Sequence, residues 1–326
     1  MKRILLALIC FCFSMQISAQ TNNFLHMGDY QTSEWGVLGE VKKIGDGEKN
    51  AILIPGWGFD WTIFKDFIKS HEDEYTFYAV TLPGFGKTFA PPMPKDSEKF
   101  KDLFWTNGII HGINKLISSQ NIESPILISY FTYANMIALK LALDYPEKIQ
   151  KVIIISGMAK FMATLPSYEP RNLDERTLYV EEVMAKKWFK SIDKKKWDEG
   201  NFTPNVFTKD TLQARKYWDQ LSQVPMPVAI RYLLEFYCTD LSLEYSKLKI
   251  PVLIIIPTFS VQDKNYAYTS SFFHDSWIGA KTQSKFLHLI AISDTQAFIT
   301  NDQPDKLKDI IELFISNKLS PFDVFR

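Results

Sequence analysis

Short apolar runs recur along this chain at the interval of strands separated by helices, and that rhythm constrains its fold more than any other feature. Residues 51–54, 75–82, 126–129, 152–156, 252–257 and 285–291 form runs of 4–8 residues, most of them without polar alternation. Continuous runs of this length are what strands covered on both faces of a parallel sheet require. Amphipathic segments at 61–70, 100–120, 133–145 and 302–318 fill the intervals. Strand and helix in alternation predict a doubly wound, mostly parallel α/β sheet. The rhythm stops between 158 and 248, where the pattern is helical at 175–190, 208–223 and 228–237 and rich in aromatics, among them Trp188, Phe189, Trp197, Tyr217 and Trp218. This predicts a helical lid insertion, 158–248, between core segments 21–157 and 249–326. A chain of 326 residues, 46% hydrophobic, suits one large domain with such an insertion.

The first twenty residues predict an export signal. Lys2 and Arg3 precede an unbroken apolar run, Ile4 to Phe13, and Ser18-Ala19-Gln20 supplies the small residues of a cleavage site. The run is too short to span a bilayer, which takes about 20 residues. Cys10 and Cys12 lie inside it, which leaves Cys238 as the thiol of the mature chain. A periplasmic or secreted bacterial protein that needs no disulfide is the expectation. Lys plus Arg and Asp plus Glu number 37 each, so no overall field favours nucleic acid or an anionic membrane. The lysines at 186, 187, 190 and 194–196 are expected on a solvated face.

Several ordered segments resemble the α/β-hydrolase superfamily. Ile54-Pro55-Gly56-Trp57-Gly58 follows the first run in the place of the family's oxyanion loop. Leu82-Pro83-Gly84-Phe85-Gly86-Lys87-Thr88 follows the second and is similar to the family's D-x-P-G-x-G-x-S turn. Residues 126–149, ending in Asp144-Tyr145-Pro146-Glu147-Lys148-Ile149, match its nucleophile strand and following helix. Past the insertion, Ile250-Pro251-Val252-Leu253 looks like the strand that carries the family's acid, and Ala297-Phe298-Ile299 to Asp302-Gln303-Pro304 like the segment around its histidine. The resemblance covers essentially the whole chain after the signal and implies an α/β-hydrolase fold of the esterase and lipase type.

The same resemblance locates the site. The nucleophile of G-x-S-x-G sits on a sharp strand-to-helix turn. Fourteen residues before Pro146 this position is Thr132, within Tyr130-Phe131-Thr132-Tyr133-Ala134. Tyr130 and Ala134 replace the flanking glycines, and a β-branched residue at positive φ is costly, so a relaxed turn is expected, with Thr132 acting as an ordinary turn residue that caps the next helix. Aligned on Pro304, the histidine position is Ala297, flanked by Gln296 and Phe298. The acid position falls at Ser260, with Asp263 as the alternative acid. Backbone N–H groups of Trp57 and Tyr133 are the implied oxyanion donors, and Pro55, Gly56, Phe131 and Phe298 the implied pocket. Ser129 lies three residues before Thr132, and His26, His71, His111, His274 and His288 are all expected to be structural or surface residues.

Loss of a serine-hydrolase triad costs roughly 10⁶-fold in kcat. The main expectation is therefore a pseudohydrolase: an exported pocket that binds a small apolar or carbonyl-bearing ligand. Two further readings stand beside it, an active ester or amide hydrolase with an unconventional site using Thr132, and an envelope protein–protein interaction module. No H-E-x-x-H, cysteine cluster or glycine-rich phosphate loop occurs, so neither a metal nor another cofactor is expected.

Overall fold

In the central strands both faces are apolar, and burial follows that pattern. The computed structural model describes residues 38–93, 99–160, 172–186, 194–195, 206–263 and 273–319. The export signal expected in residues 1–20 and Trp188, Phe189 and Trp197 lie outside the described residues. The strands are β1 (Glu40–Ile44), β2 (Lys49–Pro55), β3 (Tyr75–Thr81), β4 (Ile126–Thr132), β5 (Lys151–Gly157), β6 (Val252–Thr258) and β7 (Leu287–Ser293). Every residue of β3, β4 and β5 is buried. The strand order is β1-β3-β2-β4-β5-β6-β7. Only the β1–β3 pair is antiparallel among the described strands. β1, Glu-Val-Lys-Lys-Ile, mixes charged with apolar residues and is only partly buried, as suits an edge strand.

From β2 the chain steps outward to β3 through α1 (Lys65–Lys69), then returns past β2 to β4 through α2 (Phe104–Ser119). Right-handed crossovers in opposite directions place α1 and α2 on opposite faces of the sheet. The reversal makes a crevice at the carboxyl ends of β2 and β4, where doubly wound sheets hold their ligands. α3 (Ala134–Asp144) follows β4, and its small residues Ala134, Ala138 and Ala142, spaced by one turn, are fully buried. α9 (Pro304–Ile315), started by proline at a first-turn position, closes the chain.

Between β5 and β6 the described residues form α4 (Leu173–Tyr179), α5 (Thr211–Ser222) and α6 (Met226–Tyr237). Asp210 caps α5 by accepting from Leu212 N and Gln213 N. Three contacts seat this insertion on the loops above the sheet. Tyr232 Oη donates to the Pro83 carbonyl at 2.7 Å, and Trp57 Nε1 to the Ala229 carbonyl at 3.0 Å. Gly58 has φ 85°, and a Cβ there would stand 2.0 Å from Leu221 Cδ1. Beneath α6, fully buried Glu235 accepts from the backbone N–H groups of Trp105 and Thr106 at 3.0 and 2.9 Å and pairs with Arg231 at 2.9 Å. One carboxylate thus caps the start of α2 from a helix about 130 residues away in sequence. Short helices α7 (Ala280–Gln283) and α8 (Ile299–Asp302) flank β7. No helix among the described residues is long and apolar enough to cross a membrane.

Candidate active site

β4 ends at Thr132, and the helix α3 begins two residues later. The turn between them has not relaxed. Phe131 and Thr132 have φ of 70° and 49°, a conformation that costs of order 1–3 kcal/mol per residue and persists only where the surroundings impose it. The surroundings do so here. Gly56 approaches so closely that a Cβ on it would lie 2.3 Å from the Phe131 carbonyl oxygen. Tyr130, in place of the first glycine, anchors its hydroxyl on Thr300 Oγ1 at 2.7 Å. Burial pushes the Tyr130 phenol well above its usual range, against the smaller opposing effect of the Thr300 bond. The Phe131 ring lies 6.0 Å from Phe59, 5.2 Å from Phe298 and 6.0 Å from Phe207. The elbow is held by aromatic packing on both sides instead of by small residues.

Thr132 does not cap α3. The helix has Tyr133 at its N-cap and no side-chain cap bond, and Thr132 Oγ1 is buried with no hydrogen-bond partner. The hydroxyl is therefore uncommitted. Tyr133 N belongs to the start of α3, where helix geometry leaves N–H groups without an intrahelical acceptor. The Tyr133 side chain is locked from below: its hydroxyl is 2.6 Å from Thr106 Oγ1, and burial together with nearby Glu235 pushes its phenol well up. Across the crevice, Pro55 closes β2 and Trp57 follows Gly56, with its indole tied to α6 as described.

Ala297 is fully buried, as is Phe298. Ala297 O accepts from Ser156 Oγ, and Ser156 directly precedes Gly157, the β5 partner of Thr132. The chain thus brings the histidine position next to the elbow's neighbour strand. Ala297 N and Phe298 N donate to Val206 O and Phe207 O at 2.9 and 2.6 Å. This backbone pairing lays Phe207 of the insertion into the aromatic cluster at the elbow. Asp302 fastens the same strap, accepting from Thr208 Oγ1 at 2.6 Å and Lys209 N at 3.0 Å. Ser260 is exposed. Asp263 instead turns to the histidine loop, where its Oδ2 accepts from Gln296 Nε2 at 2.9 Å. Ser129 bonds the Ile153 carbonyl within the sheet, His288 packs on Phe314 and His274 lies against Pro257 O. Phe59, Phe207 and Gln296 complete the site. Gln296 stands beside the position that spacing locates, whereas Phe207 reaches it through bare backbone bonds that leave no trace in residue type.

No family model matches the chain. Several curated relatives bear the same name. A pimeloyl-[acyl-carrier protein] methyl ester esterase of Legionella pneumophila (strain Lens) is 23% identical over 225 residues, 66% of this chain and 81% of the relative. The enzyme of that name from Wigglesworthia glossinidia brevipalpis is 27% identical over 118 residues, 36% of this chain, and the chain spans only 40% of that relative's length. Among solved structures, an esterase from Exiguobacterium antarcticum superposes with TM-score 0.61 at 16% identity, covering 85% of this chain and 94% of that one. An enol-lactonase from Burkholderia xenovorans LB400 gives 0.62 at 11%, covering 85% and 96%.

These relatives correct the expectation of a pseudohydrolase, because the proteins similar to this chain in sequence are named as esterases. The expectation of inactivity rested on the alanine at the histidine position; the separate expectation of a relaxed elbow is also corrected, since the elbow has kept its positive-φ conformation. Sheet order, switch-point crevice, strained elbow and superposition agree, and the chain has the α/β-hydrolase fold.

Proposed function

We propose that this protein is an active ester hydrolase that uses the hydroxyl of Thr132. The observation that carries this reading is the positive-φ turn that holds a buried, unpartnered Thr132 Oγ1 at the switch point of the sheet. A strained turn is expensive, and an uncommitted buried hydroxyl adds to the cost; a reacting group accounts for both. Thr132 Oγ attacks the acyl carbonyl, and the N–H groups of Trp57 and Tyr133 receive the developing oxyanion; its collapse breaks the ester C–O bond and expels the alcohol, which takes the proton that left Thr132, and water then cleaves the acyl-threonine to the acid and restores the hydroxyl. With alanine in the imidazole's place, the proton acceptor is Asp263, the carboxylate bonded to the histidine loop. The apolar acyl group lodges among Phe59, Phe131, Phe207 and Phe298, and the insertion between β5 and β6 serves as a lid. The export signal in residues 1–20 directs this activity to the periplasm or beyond.

The test is hydrolysis of short p-nitrophenyl esters together with fluorophosphonate labelling mapped by mass spectrometry. Thr132 should carry the adduct, Thr132→Ala should lose both adduct and turnover, and Thr132→Ser should keep both. Undiminished turnover by Thr132→Ala would overturn the assignment.

A further inference from the structure

The polar network beneath α6 reaches the elbow, and its hydrogen bonds run in one direction. Thr106, Glu235 and Tyr133 are all buried. Thr106 Oγ1 donates to Glu235 Oε2 at 2.7 Å. A hydroxyl has a single proton to give, so in the 2.6 Å contact between Thr106 Oγ1 and Tyr133 Oη the tyrosine is the donor. The chain of bonds therefore leads from the Tyr133 hydroxyl through Thr106 to the Glu235 carboxylate. Its far end is clamped, because Glu235 also accepts from Trp105 N, Thr106 N and Arg231 Nε at 3.0, 2.9 and 2.9 Å.

Its near end meets a segment with little to fix it locally. Phe131 and Thr132, directly before Tyr133, both have positive φ, and α3 has no side-chain cap bond at its start. Tyr133 is held by its side chain instead. Its ring meets Tyr232 at 5.0 Å and Phe236 at 6.0 Å, both edge to face. Tyr232, Glu235 and Phe236 are three and four residues apart on one face of α6. Ring and hydroxyl are thus both gripped from that face, which leaves the Tyr133 backbone little freedom. Aim matters for an oxyanion donor, since a misplacement of about 1 Å in a catalytic constellation can cost about 10²-fold.

We infer that Thr106, anchored by Glu235 of the insertion, is a positioning residue that aims the Tyr133 N–H at the oxyanion. This rests on the reading of Tyr133 as an oxyanion donor. Tyr133→Phe removes one hydroxyl and keeps the ring. It should lower kcat for p-nitrophenyl acetate about tenfold with KM unchanged, short of the roughly 10²–10³-fold loss from deleting a donor outright. Thr106→Val should do the same and add nothing to Tyr133→Phe in the double variant, because both cut one chain of bonds. Thr106→Ser, which keeps the hydroxyl, should keep kcat. Tyr232→Phe is the structural control: it deletes an α6 hydroxyl that bonds the Pro83 carbonyl, and should lower the urea midpoint without moving kcat. Undiminished kcat in Tyr133→Phe and Thr106→Val, an equal loss in Tyr232→Phe, or a loss confined to KM would each overturn the inference. Thr132→Ala is assayed alongside. Full turnover in that variant sinks the nucleophile assignment alone, whereas a native chain without turnover overturns both.

Discussion

At the scale of single residues, the site shows how spacing and chemistry can point in different directions. Counting back from Pro146 and Pro304 singles out Thr132 and Ala297, and the structure puts Thr132 on the turn that ends β4 and Ala297 beside the neighbouring strand β5. What those residues do was less legible. Tyr130 and Ala134 argued for a relaxed turn, yet the aromatic packing that maintains it comes from Phe59, Phe207 and Phe298, distant in sequence. The missing imidazole has a kinetic signature. A histidine base titrates near pH 6.5, so the pH–rate profile for p-nitrophenyl acetate should have no limb in that region. Asp263→Asn should lower kcat by about 10²–10⁴-fold, the usual worth of a positioned general base. A clear ionisation near pH 6.5, or an Asp263→Asn variant with full activity, would remove the carboxylate from its role.

At the scale of elements, six of the seven strands follow directly from apolar runs, and the exception is instructive. β1, Glu-Val-Lys-Lys-Ile, carries three charges in five residues, and only its pairing with β3 makes it a strand. The insertion is held down by long-range polar contacts that sequence does not advertise. Glu235 is the clearest, since it satisfies two N–H groups of α2, the Thr106 hydroxyl and Arg231 at once. Glu235→Ala leaves Arg231 buried and unpaired and should cost about 3–5 kcal/mol, visible as a lower urea midpoint. Phe207 tests the strap. Phe207→Leu keeps the site apolar but thins the cover over Thr132, and should raise kcat/KM for bulkier esters on the order of tenfold, equivalent to about 1.4 kcal/mol, with little change for acetate. An unchanged ratio between the two substrates would mean that Phe207 does not limit access.

At the scale of the whole molecule, burial of weak acids sets the alkaline limit of the fold. Tyr130, Tyr133 and Tyr245 all have phenols raised chiefly by burial, and the Cys238 thiol is pushed up to about 12 by the same cause. These groups hold their protons more tightly folded than unfolded. Their contribution is complete below the unfolded values, 9.0 for the thiol and 10.0 for the phenols, and drains away as pH rises past them. The urea midpoint should therefore fall steadily above about pH 9, and native Cys238 should resist alkylation at pH 8, where it stays a buried thiol. Rapid alkylation under native conditions, or stability that climbs above pH 10, would contradict this account.

The backbone pairing of Val206 and Phe207 with Ala297 and Phe298 also bears on how such a protein can be re-engineered. Two segments that touch through main-chain bonds and share the Asp302 clasp form one structural unit, although 91 residues separate Val206 from Ala297. A chimera that imports the helical insertion of another protein of this fold while leaving residues 294–302 in place would break both ends of that unit, whereas exchanging the two segments together would transplant it whole.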